Sequence, residues 1–159
     1  MTIIYESNTG TAKRYAELLS EKLSCRVSAL KDAEKFIGEE YVFVGWVMAG
    51  TIQGLSQARE KLGSLKAVCA VGMMPADKQE EQLKEKNAVS EPFFALPGDF
   101  DLKKLTGMYK MMMGMMMKML KSKAKDDPKG AEAIELFEKG FSGYSEEAVE
   151  GILAFLKAE

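Results

Sequence analysis

Five short apolar runs punctuate the chain: "TIIYE" (2–6), "RVSAL" (26–30), "YVFVGWV" (41–47), "KAVCAVG" (66–72) and "PFFAL" (92–96). Each has the length of a strand and is bounded by polar or turn-forming residues. The third and fourth are apolar almost without a break, the pattern of strands covered on both faces. Between them the period changes. Over residues 11–24, Tyr15, Leu18, Leu19 and Leu23 recur on one side of a helix, while Lys13, Glu17 and Glu21 fall opposite. Residues 54–64 and 77–87 are charged and amphipathic, and helical spacing returns at 101–124, 129–139 and 145–157. Strands and helices in alternation predict βαβ units, hence an α/β fold with a parallel sheet and helices on both faces. Right-handed crossovers restrict such a chain to a doubly wound sandwich. Five strands, with a loop-to-helix turn after the first, favour the order 2-1-3-4-5 over a six-stranded dinucleotide fold. A ligand then sits beyond the carboxyl ends of the strands, at the loops after strands 1 and 3. A single domain, 1–159, is expected; "KSKAKDDPKG" (121–130) is a polar, helix-ending connection within it.

Composition acts mainly by exclusion. Apolar residues at 47% and charged residues at 29% describe an ordinary globular chain. A net charge of −2 gives no support to nucleic-acid binding. The absence of histidine removes Ser–His and Cys–His nucleophiles, histidine-ligated metals and a histidine pH switch. Cys25 and Cys69 alone cannot build a thiolate cluster, so no metal is expected, and Cys69 reads as a small core residue within its strand. The apolar pair Ile3–Ile4 is far shorter than the apolar region of a signal peptide, which points to a cytoplasmic protein with reduced thiols. Chemistry must then come from carboxylates alone or from a borrowed cofactor.

The loop after the first strand narrows that choice. In "YESNTGTA" (5–12), Ser7, Asn8, Thr9 and Thr11 carry hydroxyl or amide groups, Gly10 is flexible, and nothing is basic. A helix N-terminus offers unpaired N–H groups and partial positive charge, which suit an anion. The Walker phosphate loop fails because Lys13 lacks the required spacing, and the dinucleotide fingerprint fails because Gly10 stands alone. Neutral donors with backbone amides suit one terminal monophosphate. The plain alternative is that Ser7 or Thr9 caps the helix.

The stretch "IIYESNTGTAKRYAELL" resembles the N-terminal FMN signature of the flavodoxins, with Ile3, Ile4, Tyr5, Ser7, Gly10, Ala16 and Leu19 at matching positions. Ala12 departs from the threonine usual in that family, a loss worth about 1 kcal/mol if it removes one neutral hydrogen bond. "YVFVGWVMAGTIQG" (41–54) is similar to the third strand and flavin-edge loop of flavodoxin-domain proteins. "FFALPGDFDLKKL" and the helix after it look like a subgroup related to the menaquinone-dependent protoporphyrinogen oxidases. The resemblance implies a flavodoxin-like fold and non-covalent FMN. Its phosphate is expected on Ser7, Asn8, Thr9, Gly10, Thr11 and the Ala12 amide. The ring is expected against Trp46, Val47, Met48, Ala49, Gly50 and Thr51 after strand 3, and Met73, Met74 and Pro75 after strand 4. Gly50 is the residue expected to rearrange beside the flavin, since glycine accepts either backbone sign. Trp46 has a competing reading as a strand residue buried with Val42 and Val44, and Met73 and Met74 as packing.

One helix is unusually apolar. In "KKLTGMYKMMMGMMMKML" (103–120), Leu105, Met108, Tyr109, Met112, Met115, Met116, Met119 and Leu120 share a face, and Met111, Met113 and Met117 widen the arc to about 240°. One explanation is that the C-terminal helices 129–139 and 145–157 pack over the surplus. A docking surface is the other explanation, for a membrane interface, an apolar substrate such as a quinone or porphyrinogen, or self-association. Three functions stand open: an electron carrier between proteins, an FMN oxidoreductase acting on a small apolar substrate, and a binding module that keeps the fold without flavin.

Overall fold

The structure, a computed structural model, describes residues 1–72 and 80–159. Strands β1 (Thr2–Glu6), β2 (Arg26–Ala29), β3 (Tyr41–Met48), β5 (Leu65–Gly72) and β6 (Phe93–Pro97) fall within one residue of the five apolar runs. They pair in parallel in the order β2-β1-β3-β5-β6, which is 2-1-3-4-5 among the parallel strands. An unexpected two-residue strand, β4 (Thr51–Ile52), turns back antiparallel on the end of β3. The helices are α1 (Thr11–Leu23), α2 (Leu55–Lys61), α3 (Glu80–Lys86), α4 (Gly107–Lys123), α5 (Pro128–Lys139) and α6 (Glu150–Ala158).

Two compact units form, residues 1–98 with 143–159, and residues 99–142. In the first, strand alternation sends successive side chains to opposite faces of the sheet. Ile3, Val42, Val44, Ala67, Cys69 and Val71 bury against Tyr15, Ala16 and Leu19 of α1 and Ile152 of α6. Ile4, Tyr41, Phe43, Val68 and Ala70 bury on the other face against Leu55 and Ala58 of α2 and against Leu30, Ala33 and Phe36. The last three belong to a 3-10 helix, Leu30–Phe36, that the sequence reading missed; it begins at Leu30, the residue expected to end β2. Tyr15 ties three segments together. Its hydroxyl donates to the Pro97 carbonyl at 2.6 Å and accepts from the Ser145 amide at 3.1 Å.

In the second unit, Phe100 and Phe141 exchange two backbone hydrogen bonds of 2.8 and 2.9 Å, and the Phe100 ring meets Phe137 edge-on. The helix expected over 101–124 divides. A short turn, Leu102–Lys104, is capped by Asp101, and α4 begins only at Gly107, whose positive φ of 61° breaks helical continuity. Asp127 caps α5, with Pro128 at its first position, where proline fits best. The C-terminal segment expected as one helix over 145–157 likewise opens with a 3-10 turn, Glu146–Val149, before α6.

Along α4 the buried residues are Met113 and Met117, with Tyr109, Met116 and Leu120 half-buried. Met108, Met112, Met115 and Met119, placed by helical spacing on the face that also holds Tyr109 and Leu120, are exposed, as is Met111. An apolar arc this wide does not mark its own centre. The buried stripe is fixed by what packs on the helix, and α4 packs against α5.

Candidate functional site

Register places the first elements of the site. Glu6 of β1 pairs with Gly45 of β3, so the loop after β1 and the last residues of β3 leave the sheet side by side at its carboxyl edge. Trp46 pairs with Val71 of β5, whose continuation, Met73, Met74 and Pro75, lies outside the described residues.

The β1–α1 loop is closed by its own serine. The Gly10 amide donates to Ser7 Oγ at 3.1 Å, and Gly10 turns the chain into α1 with φ 103° and ψ −11°. The Ser7 hydroxyl thus takes the amide of the residue before the helix, not one within its first turn. Gly10 is itself the residue preceding the helix, and among the described residues no side-chain cap forms at the start of α1. The first-turn amides of α1 therefore keep their donors and the partial positive charge of the helix end. Beside them Asn8 Oδ1 is buried with no hydrogen-bond partner among the described residues. Burying an amide oxygen without a donor is unfavourable, so such an atom marks a place where a ligand would complete the bonding. Ser7, Asn8, Thr9 and Gly10 are half-buried, and Thr11 and Ala12 are buried. The methyl of Ala12 sits in the core with Tyr15 and Ala16, so this residue has only its amide to offer.

At the end of β3 the expected residues separate by role. Trp46 packs partly buried on the same core as Val42 and Val44, and Val47 leans on the opposite one. Met48 pairs with Thr51 and Val47 with Ile52, which leaves Ala49 and Gly50 as a two-residue turn. Both central residues have positive φ, 50° and 75°, the signature of the primed turn that matches strand twist. The Gln53 amide closes the hairpin on the Trp46 carbonyl at 2.9 Å. Gly45 permits the return: a Cβ there would lie 2.6 Å from the Phe43 ring and 2.8 Å from Ile52.

Two residues that sequence reasoning passed over hold this turn. Lys86 Nζ donates to the Ala49 carbonyl at 2.6 Å. Asn87 Nδ2 donates to the Gly50 carbonyl at 2.9 Å, while Asn87 Oδ1 accepts from the Ile52 amide at 2.8 Å. In the sequence, "KEKNAVS" shows only a polar helix end, and an asparagine there reads as a helix stop. Glu6, at the mouth of the loop, was also missed; burial pushes its carboxyl above the usual range, against a smaller opposing pull from Lys31.

The flavodoxin domain family profile matches residues 2–127 of this sequence. A search of curated proteins finds no match. Among solved structures, the Trp repressor binding protein from Bacillus subtilis aligns with 61% of this chain and 83% of its own, at 14% identity and a TM-score of 0.37, a likeness too slight to carry an argument. With the family match running from β1 through α4, the chain belongs to the flavodoxin domain family, whose proteins bind flavin.

Proposed function

We propose that this protein is an FMN-binding redox protein that passes electrons through a non-covalently held flavin. The observation that carries the reading is the start of α1. Its amides have no side-chain cap, and beside them Asn8 Oδ1 is buried without a partner among the described residues. A phosphate monoester fits the amides and the hydroxyls of Ser7, Thr9 and Thr11, with the helix dipole in place of a basic side chain. Asn8 Oδ1 is an acceptor, suited to a hydroxyl of the sugar-alcohol chain that links phosphate to ring. The Met48–Thr51 turn, which leaves the same sheet edge, is the segment proposed to meet the ring, with Trp46 and Val47 behind it. When bound, FMN supplies one- and two-electron transfer, while the protein supplies position and local electrostatics.

Reconstitution tests this directly. Purified protein titrated with FMN should quench the flavin fluorescence with a one-to-one endpoint and turn yellow. Fluorescence unchanged with FMN in excess would leave a flavodoxin-fold module that does not use flavin.

A second reading is favoured by α4. Met108, Met111, Met112, Met115 and Met119 expose an apolar stripe on a helix whose charged residues are all lysines. Charge points the same way, since 24 acidic against 22 basic residues leave little of the acidic surplus that steers a carrier to basic partners. On this reading the protein is an FMN-dependent oxidoreductase acting on a quinone or porphyrinogen, like the subgroup related to the menaquinone-dependent protoporphyrinogen oxidases, with contact to a membrane surface through α4. Turnover of either substrate by the FMN-loaded protein, with and without lipid vesicles, separates the readings; no turnover with both leaves the carrier.

A further inference from the structure

We propose that the C-terminal end of α3 is a latch that holds the Ala49–Gly50 turn in its ligand-ready shape before any flavin arrives. The inference takes its ligand from the FMN reading above, but its geometry stands apart from it. A turn with positive φ at a non-glycine residue, 50° at Ala49, does not hold itself; surrounding contacts must over-determine it.

Those contacts come from one place. The carbonyls of both turn residues are occupied, Ala49 by Lys86 Nζ at 2.6 Å and Gly50 by Asn87 Nδ2 at 2.9 Å. The next strand is held by the same side chain, through the 2.8 Å bond from the Ile52 amide to Asn87 Oδ1. Asn87 Nδ2 donates again, to the Leu83 carbonyl at 2.8 Å, so the amide is used as acceptor and twice as donor. An aspartate lacks those donors and a lysine lacks the acceptor, so the position asks for a carboxamide.

The latch is itself anchored. The Asn87 carbonyl accepts from Arg59 Nη1 at 2.9 Å, and Arg59 pairs with Glu91 at 2.8 Å. Ala88 ends α3 in the left-handed conformation, and Val89 follows into the core under the sheet. The turn is thereby fixed to α2 and to the core through side chains, beyond what its own short hairpin of two residue pairs and the Gln53–Trp46 bond supplies. Lys86 and Asn87 are positioning residues: they act on the ligand through the turn. Pre-forming it removes an ordering cost from binding, and where the competent shape falls to about a tenth of the population, the apparent Kd rises about tenfold.

Three variants test this. Amide hydrogen exchange read by NMR on protein without FMN reports the latch, and FMN titration reports its consequence. Asn87→Ala should speed exchange at Ile52 more than tenfold, leave Val42 and Val68 in the central strands protected, and raise the FMN Kd about tenfold. Asn87→Asp keeps the acceptor for Ile52 and loses the donor to Gly50, so Ile52 should stay protected while FMN binding still weakens. Lys86→Met changes an exposed side chain, tests the Ala49 contact if Asn87→Ala fails to fold, and should raise the Kd severalfold. Unchanged Ile52 exchange in Asn87→Ala, or wild-type FMN affinity in all three variants, would overturn the proposal. Should the unaltered protein take up no FMN, the functional reading falls, and Ile52 exchange still decides whether the latch exists.

Discussion

Gly10 has a φ of 103°, and a Cβ built on it would meet nothing within 4 Å. Any cost of a side chain there is therefore a backbone cost. Gly10→Ala should lower stability by about 1–2 kcal/mol in urea unfolding, the ordinary penalty for a left-handed residue with a Cβ. It should also weaken FMN binding, because relaxing φ moves the first amides of α1. Glu6 gives a prediction of opposite kind. Its carboxyl is pushed up chiefly by burial, so the folded state holds the proton more tightly than the unfolded chain does. Stability should therefore fall as pH rises from the ordinary glutamate range through the raised folded value. Glu6→Gln removes that slope. Urea midpoints should match wild type at low pH and exceed it at neutral pH; a Gln variant no more stable at neutral pH than the parent would refute the account.

At the scale of elements, α4 separates two kinds of methionine. Met113 is 4% exposed and Met115 is 68% exposed, two positions apart on one helix. Met113→Ala should cost about 2–5 kcal/mol, the range for a buried methionine truncated to alanine. Met115→Ala should stay within about 0.5 kcal/mol of the parent. Equal effects would mean that the stripe through Met113 and Met117 is not the packed one. The helix itself was legible in the sequence, because Met, Lys and Leu, all good helix formers, make up most of its seventeen residues and outweigh Gly107 and Gly114. Its buried side was not, because methionines fill most of the circumference and only a packing partner distinguishes among them.

For the molecule as a whole, the central strands should open only when everything does. Cys69 lies in β5, fully buried, and burial alone pushes its thiol well above the usual range. Cys25 is half-buried, with its thiol raised mainly by the same cause. A disulfide-exchange reagent should therefore label no more than Cys25 in the native protein and both cysteines in denaturant. Labelling of Cys69 should follow the global unfolding free energy. Labelling of Cys69 in the native protein at the rate of Cys25 would show that β5 opens by itself. Among the described residues, no helix is long and apolar enough to cross a membrane.

What the amino-acid order determined by itself is the part governed by local period and chain handedness. Five apolar runs, covered on two faces, joined by right-handed crossovers, admit few arrangements, and the observed strand order is among them. The position of the loop from Ser7 to Thr11 followed, because the end of β1 and the start of α1 were both visible. Tertiary structure decided the rest. It set Ser7 on the Gly10 amide, folded β4 back on β3, and brought Lys86 and Asn87 onto carbonyls 37 residues earlier in the chain. Hydrogen bonds between groups so far apart leave no periodic trace, since what selects them is the shape of the packed sheet and not the residues next to them.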